Sequence, residues 1–336
     1  MMKKLMIKSQ GSFVVGGKTI TASGEFDFND ALGTAGQTRH GDHAYVEYQV
    51  PENPKKYSLI FLHGAGQSAA GFQTTPDGRE GFNNIFLRKN YSVYLVDQPR
   101  RGRASQNIVK AEIDPAFDDQ LWFSNFRIGH WPNVDEDMAF PKSQEAVNNF
   151  LHMMVPDVGP YDSDVISDAF AEVFKKSGDG VLISHSQGVG PGWEVVIKSN
   201  HVKGVVAMEP GSGFIFPKGE VPEPIDSLSP WGKLPATEVS DEDFVKLTEI
   251  PIIIIYGDKV PRKPSNSWPI DAWRARAKMA EHFVEAINRH GGQAELLRLP
   301  EVGIKGNTHF MFQDLNNQDV ADVIDVWLKK HHLGGK

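Results

Sequence analysis

The pentapeptide Ser184-His185-Ser186-Gln187-Gly188 lies where an apolar run, Gly180–His185, gives way to a helical pattern. A serine held at a sharp strand-to-helix turn stands above the sheet edge, where its hydroxyl can attack a carbonyl carbon. Such turns read Gly-x-Ser-x-Gly, because small residues on either side let the strand and helix backbones come close. Ser184 takes the place of the first glycine, and serine is small enough to fit there. The bland alternative is an ordinary polar turn.

A hydroxyl is a weak nucleophile until a base takes its proton. His309 is the best-placed base, in a glycine-containing loop over 303–310 that follows the last apolar run and precedes a carboxy-terminal helical pattern. His201 and His290 fall near expected helix ends, and His331 and His332 fall in a tail expected to be solvated. The imidazole in turn needs a carboxylate to orient it and to stabilise its charged form. Two expected strand ends offer one, Glu209 in Met208-Glu209-Pro210-Gly211 and Asp258 in Tyr256-Gly257-Asp258. Both face the same edge of a parallel sheet, and the residues alone lean slightly towards Asp258. A tetrahedral intermediate also needs fixed N–H donors. The loop His63-Gly64-Ala65-Gly66 after the apolar run Ser58–Leu62 supplies one, so the donors are expected to be the backbone of Ala65 and Gln187. His63 itself reads as a residue that braces this loop.

These groups must be carried by a scaffold that brings distant segments to one edge. Strands are expected over 43–50, Ser58–Leu62, 92–96, Gly180–His185, Val202–Met208, Pro251–Tyr256 and 295–299, several of them nearly continuous Val, Ile and Leu. Helical periodicity over 163–176, 270–289 and 319–330 alternates with them. The pattern predicts an α/β architecture with a mostly parallel central sheet and helices on both faces, of the α/β-hydrolase fold. A chain of 336 residues is expected to form a single domain over 1–336. Two long segments, 106–158 and 211–250, break the alternation and are expected to be cap or pocket-wall insertions.

Composition narrows the chemistry. The formal charge of −8 gives no general attraction to nucleic acid or anionic lipid, and neither is expected as a partner. There is no cysteine, which excludes a thiolate nucleophile and a disulfide. No run approaches the ~20 apolar residues of a membrane span. The amino-terminal stretch breaks at Lys8 before a leader-like apolar run develops. A cytoplasmic location is expected, or a secreted or periplasmic one if a leader has been removed. The sequence carries neither a dinucleotide fingerprint nor a P-loop, and no cofactor is expected. His40-Gly41-Asp42-His43 has ligand-type residues but lacks a third and fourth ligand, so no metal is expected.

Several blocks together resemble one group of enzymes. They are Gly11 to Gly17, His63-Gly64 with Thr74-Thr75-Pro76-Asp77-Gly78-Arg79, Asp97-Gln98 with Arg101-Gly102-Arg103, Met153-Met154-Val155-Pro156, Ser184-His185-Ser186-Gln187, Glu209-Pro210-Gly211 and His309 to Asn317. The chain is similar nearly end to end to the bacterial esterase 713 family of carboxylesterases. The resemblance implies Ser186 as nucleophile, His309 as base and Glu209 as acid, since that family carries a glutamate on the strand directly after the nucleophile helix. It thereby overturns the slight preference for Asp258. It also implies Ala65 and Gln187 as oxyanion donors, a cap over the pocket, a small ester substrate and a homodimer. The family's type member has two adjacent cysteines in the oxyanion loop, forming a vicinal disulfide, where this chain has Ala65-Gly66.

A serine at the elbow argues for esters, lactones or thioesters. A lactonase or thioesterase is the nearer rival to a carboxylesterase, and a non-catalytic binding protein of the same fold is the rival from another class. Arg100-Arg101-Gly102-Arg103 could read an anionic group but is expected to be a structural turn. Trp122, Phe123, Phe126, Trp131 and Phe140 either line an apolar pocket or anchor the first insertion.

Overall fold

The computed structural model describes residues 4–113 and 115–335; residues 1–3, part of the amino-terminal stretch considered above, Asp114 and Lys336 lie outside the described residues. Twelve strands are present among them. Eight form one sheet: β1 (Ile7–Thr21), β2 (Thr38–Pro51), β3 (Ser58–Leu62), β4 (Val93–Asp97), β7 (Gly180–His185), β8 (Val202–Met208), β11 (Pro251–Tyr256) and β12 (Gln293–Arg298). Two minimal pairs lie outside it, β5 (Gly129–His130) with β6 (Asn133–Val134), and β9 (Ile215–Pro217) with β10 (Thr237–Val239). The order in the large sheet is β1-β2-β4-β3-β7-β8-β11-β12. The first two strands pair antiparallel with each other, β2 pairs antiparallel with β4, and the remaining pairs are parallel. This is the mostly parallel sheet that the apolar runs predict.

Side chains alternate between two cores, as a pleated strand requires. Ile60, Leu62, Leu182, Val205, Ala207, Ile252 and Ile254 face one, and Leu59, Phe61, Val181, Ile183, Val206, Met208, Ile253 and Ile255 face the other. The helices are α1 (Phe82–Arg88), α2 (Asp119–Asn125), α3 (Gln144–His152), α4 (Ser163–Ser177), α5 (Val189–Lys198), α6 (Asp241–Thr248), α7 (Trp268–Arg289) and α8 (Asn317–Lys330). The first core is closed by apolar stripes of α4, α5, α6 and α7, through residues such as Phe170, Trp193, Phe244 and Phe283. The second is closed by α1 and α8 and by side chains near α2 and α3, among them Phe86, Phe126, Phe150 and Trp327. No helix among the described residues is long and apolar enough to cross a membrane.

The long edge hairpin goes beyond the sequence expectation. The sequence pattern predicts no strand between 7 and 21, where β1 lies, and the expected 43–50 extends to Thr38–Pro51. Phe13 and Val15 of β1 pack against the first core, opposite Val46 and Ala44, and Ile7 packs against the second, so the alternation is short and most of the strand is exposed. The two irregular segments contain α2, β5, β6 and α3 in one case, and β9, β10 and α6 in the other.

Candidate active site

β7 ends at His185, and the next residue turns the chain into a short 3-10 segment that leads into α5. Ser186 has φ +55°, a left-handed conformation that a side chain adopts at a cost. The turn works because its neighbours have no Cβ. A Cβ at Gly188 would stand 2.4 Å from the His63 carbonyl oxygen, and one at Gly64 would stand 2.6 Å from Ser186 Cβ. Ser184 is fully buried and faces Gly192 of α5, whose added Cβ would sit 3.5 Å from Ser184 Oγ. The facing glycine thus gives room where the usual motif has its own.

Glu209 ends β8, also with positive φ (+52°) and with no exposed surface. Its Oε1 accepts from the Gly257 N–H at 2.6 Å and from Arg127 Nη2 at 2.7 Å. Its Oε2 faces His309 Nδ1 at 3.3 Å. Asp258 is elsewhere engaged: its carboxylate accepts from the N–H groups of Lys259 and Gly306, and so braces the histidine loop from below. The structure therefore brings Glu209, and not the Asp258 carboxylate, to His309.

The histidine loop is fixed at several points. His309 N–H donates to the Phe126 carbonyl at 3.0 Å, and the His309 carbonyl accepts from His185 Nε2 at 2.9 Å. Buried Asp314 accepts from the Thr308 N–H and hydroxyl, both at 2.8 Å, and burial pushes its carboxyl up to about 7. Around the imidazole, Phe126 stacks at 5.2 Å with planes 11° apart, and Trp273 lies at 4.4 Å. Burial, reinforced by the charges of Arg127 and Arg276, holds His309 well below the ordinary histidine value. A neutral ring is what a general base requires. Ser186 Oγ makes no hydrogen bond among the described residues; catalytic contacts of unliganded sites are commonly long and tighten with substrate.

Ala65, Ser186 and Gln187 all line one cavity of about 350 Å³. Neither the Ala65 nor the Gln187 N–H is used in the turn and loop hydrogen bonds. The loop carrying Ala65 is braced from both sides. Fully buried Arg101 donates to the carbonyls of Gly64 and Gln67 and pairs with Asp157, and Val155 N–H donates to the Gly66 carbonyl at 3.0 Å. Gly66 itself has φ +66°. His63 braces the same loop, with Nδ1 3.1 Å from the Gly64 carbonyl and Nε2 accepting from Gln98 N–H. Burial pushes His63 down to about 4.

The other motifs resolve in the same way. Arg100 pairs with Asp42 at 2.7 Å, and Arg103 pairs with Asp97 and Glu47, so the arginine cluster is a structural turn. The Arg100 pair also commits Asp42, the one carboxylate of the His40–His43 motif. Of the first insertion's aromatics, Trp122 and Phe126 line the cavity, whereas Phe123 and Phe140 are fully buried anchors. Trp131 packs edge-on against Phe123 and is partly exposed.

Arg127, Trp273 and Arg276 also meet at this site, although no sequence motif marks them. Arg127 is fully buried, left-handed at φ +58°, and donates from Nε to the Asp258 carbonyl as well as to Glu209. Its only sequence mark is a cation set in the apolar run Phe126-Arg127-Ile128. Trp273 and Arg276 lie three apart on α7 and so share a face, and that spacing was the available signal.

No family profile matches the chain. A bacterial esterase solved at atomic resolution is similar, with a TM-score of 0.79 and 30% identity, covering 98% of this chain and 98% of that one. The probable secreted lipase phiG of Fungal sp. (strain ATCC 74256) is 28% identical over 315 residues, 85% of each chain. With this end-to-end match and the elbow, sheet order and flanking helices described above, the chain belongs to the esterase family of the α/β-hydrolase fold.

Proposed function

We propose that the protein is a serine carboxylesterase that works through an acyl-enzyme on Ser186. His309 takes the Ser186 proton as the hydroxyl attacks the ester carbonyl, and then gives it to the leaving alcohol. Glu209 orients the imidazole through Nδ1 and stabilises its charged form. The Ala65 and Gln187 N–H groups receive the oxyanion in the tetrahedral intermediates. Water activated by the same histidine then releases the acid. The observation that carries this reading is the buried Glu209–His309 contact, set at the sheet edge where the Ser186 elbow and the Ala65 loop open into one cavity.

The two insertions act as cavity walls in this reading. The first contributes Trp122 and Phe126, and the second contributes Ser227, Trp231 and Leu234. The secreted fungal relative supports a location outside the cytoplasm. Light scattering on the purified protein tests the homodimer that the resemblance implies.

Hydrolysis of a short-chain and a long-chain 4-nitrophenyl ester, without added metal, tests the activity. Wild type turns over at least one of them, and Ser186→Ala lowers kcat by roughly 10⁵-fold. Comparable turnover in Ser186→Ala removes Ser186 from the mechanism.

A further inference from the structure

The cavity beside Ser186 is walled mainly by aromatic and small residues, and its only charged side chains are the cations Arg276 and Lys233. Lys233 stands near Asp226, 3.4 Å away, and both are well exposed. Arg276 is different. Its Nε donates to the Gly211 carbonyl and its Nη1 to the Ala272 carbonyl, each at 2.9 Å. Its guanidinium lies over the Trp273 ring at 4.8 Å. It has no carboxylate within salt-bridge distance among the described residues, and its Nη2 makes no hydrogen bond there. The other partly or fully buried arginines, such as Arg100, Arg101, Arg127 and Arg298, each have a carboxylate partner.

A cation in a desolvated wall without a counter-ion is costly unless something else supplies the charge. Its position is also close to the chemistry: a Cβ added to Gly211, the residue whose carbonyl Arg276 holds, would lie 3.5 Å from Ser186 Oγ. Burial pushes Arg276 down to about 10, which leaves it protonated at neutral pH.

We infer that Arg276 binds a carboxylate carried by the substrate, so that the enzyme's preferred esters are acidic ones. This deepens the carboxylesterase reading and rests on it. One guanidinium balances one negative charge, and its planar fork matches a carboxylate. A phosphate dianion would call for a second cation, and Lys233 is already beside an aspartate. Trp122, Phe126, Trp231 and Trp273 around the same space supply apolar surface for the remainder of the molecule. Arg276 here is a specificity residue; the bond-making steps stay with Ser186 and His309.

Two matched ester pairs test the inference. One is mono-4-nitrophenyl glutarate against 4-nitrophenyl pentanoate, with the charge on the acyl side; the other is 4-acetoxybenzoate against 4-acetoxybenzamide, with the charge on the leaving group. Wild type favours the acidic member of at least one pair in kcat/KM by about tenfold or more, as one charged hydrogen-bond pair can supply. Arg276→Met lowers that ratio by a similar factor, and Arg276→Lys restores part of it. Loss of the Gly211 contact alone would lower both members of a pair together and leave the ratio where it was. A neutral preference in both pairs, or a ratio unmoved by Arg276→Met, overturns the assignment. Calorimetric titration of Ser186→Ala with monomethyl glutarate gives a readout that needs no turnover. Binding there that weakens about tenfold on adding Arg276→Met supports the carboxylate site even if the hydrolase reading fails. Binding that is absent or indifferent to Arg276 refutes it even if neutral esters are cleaved.

Discussion

Ser186, Glu209 and Arg127 each hold a left-handed backbone, and each such residue costs on the order of 1–3 kcal/mol unless its surroundings impose it. Here the strain sits where the side chains converge. The Arg127 guanidinium balances the charge of the Glu209 carboxylate, with both side chains fully buried and 2.7 Å apart. Replacing Arg127 by Met leaves that charge uncompensated and should destabilise the fold by about 3–5 kcal/mol, measured by denaturant titration. Glu209→Gln should lower kcat by roughly 10³–10⁴-fold, in line with the loss seen when a triad acid becomes an amide, while Asp258→Asn keeps activity within about tenfold. The reverse ranking would move the acid to Asp258. The pH profile follows from the groups facing His309, which are Glu209, Arg127, Arg276 and His185. The ring is active when neutral, and a lowered value keeps it neutral further into acid. The acid limb of kcat/KM should therefore fall below the ordinary histidine value of 6.5, and Arg276→Met should move it upward.

The elements that carry these residues are held at glycines. Gly188→Ala places a methyl 2.4 Å from the His63 carbonyl, so the elbow and the Ala65 loop must part. This variant should lose at least about 100-fold in kcat through the displaced donors, with the folded state checked by circular dichroism. The central strands and α4, α7 and α8 were legible because burial on both sheet faces demands continuous Val and Ile runs, and one-sided burial demands a 3.6-residue stripe. The elbow and the His309 loop were legible for the same reason, since both follow such strands. β1 was not, because most of its side chains face solvent and only Ile7, Phe13 and Val15 mark where it meets the cores. The insertion helices α2, α3 and α6 span 7, 9 and 8 residues, too short to set a periodic pattern apart from loop composition. The choice between Glu209 and Asp258 was not legible from spacing either. It depends on Arg127 and on the exact path of the 303–310 loop, which long-range packing decides. The esterase resemblance made Glu209 the expected acid, and the geometry places it beside His309.

Across the whole molecule, the buried titratable groups set a pH response. His63, with a value near 4 against 6.5 when unfolded, refuses a proton that the unfolded chain accepts. Its contribution is present above pH 6.5 and is lost as pH falls towards 4, by about 3 kcal/mol. His185 and His309 shift in the same direction. Asp314, raised to about 7, acts oppositely and favours the folded state as pH falls through the same range. Three histidines outweigh one aspartate, so the thermal midpoint should drop between pH 6.5 and 4 in a calorimetric series. A midpoint that rises across that interval would contradict the burial of these rings. The proposed mechanism requires a covalent bond at Ser186. Rapid-quench mixing with a 4-nitrophenyl ester, followed by peptide mass analysis, should give a nitrophenol burst of about one equivalent and an acyl mass on the peptide that contains Ser186. A linear release with no acylated peptide, or acylation elsewhere, would contradict it.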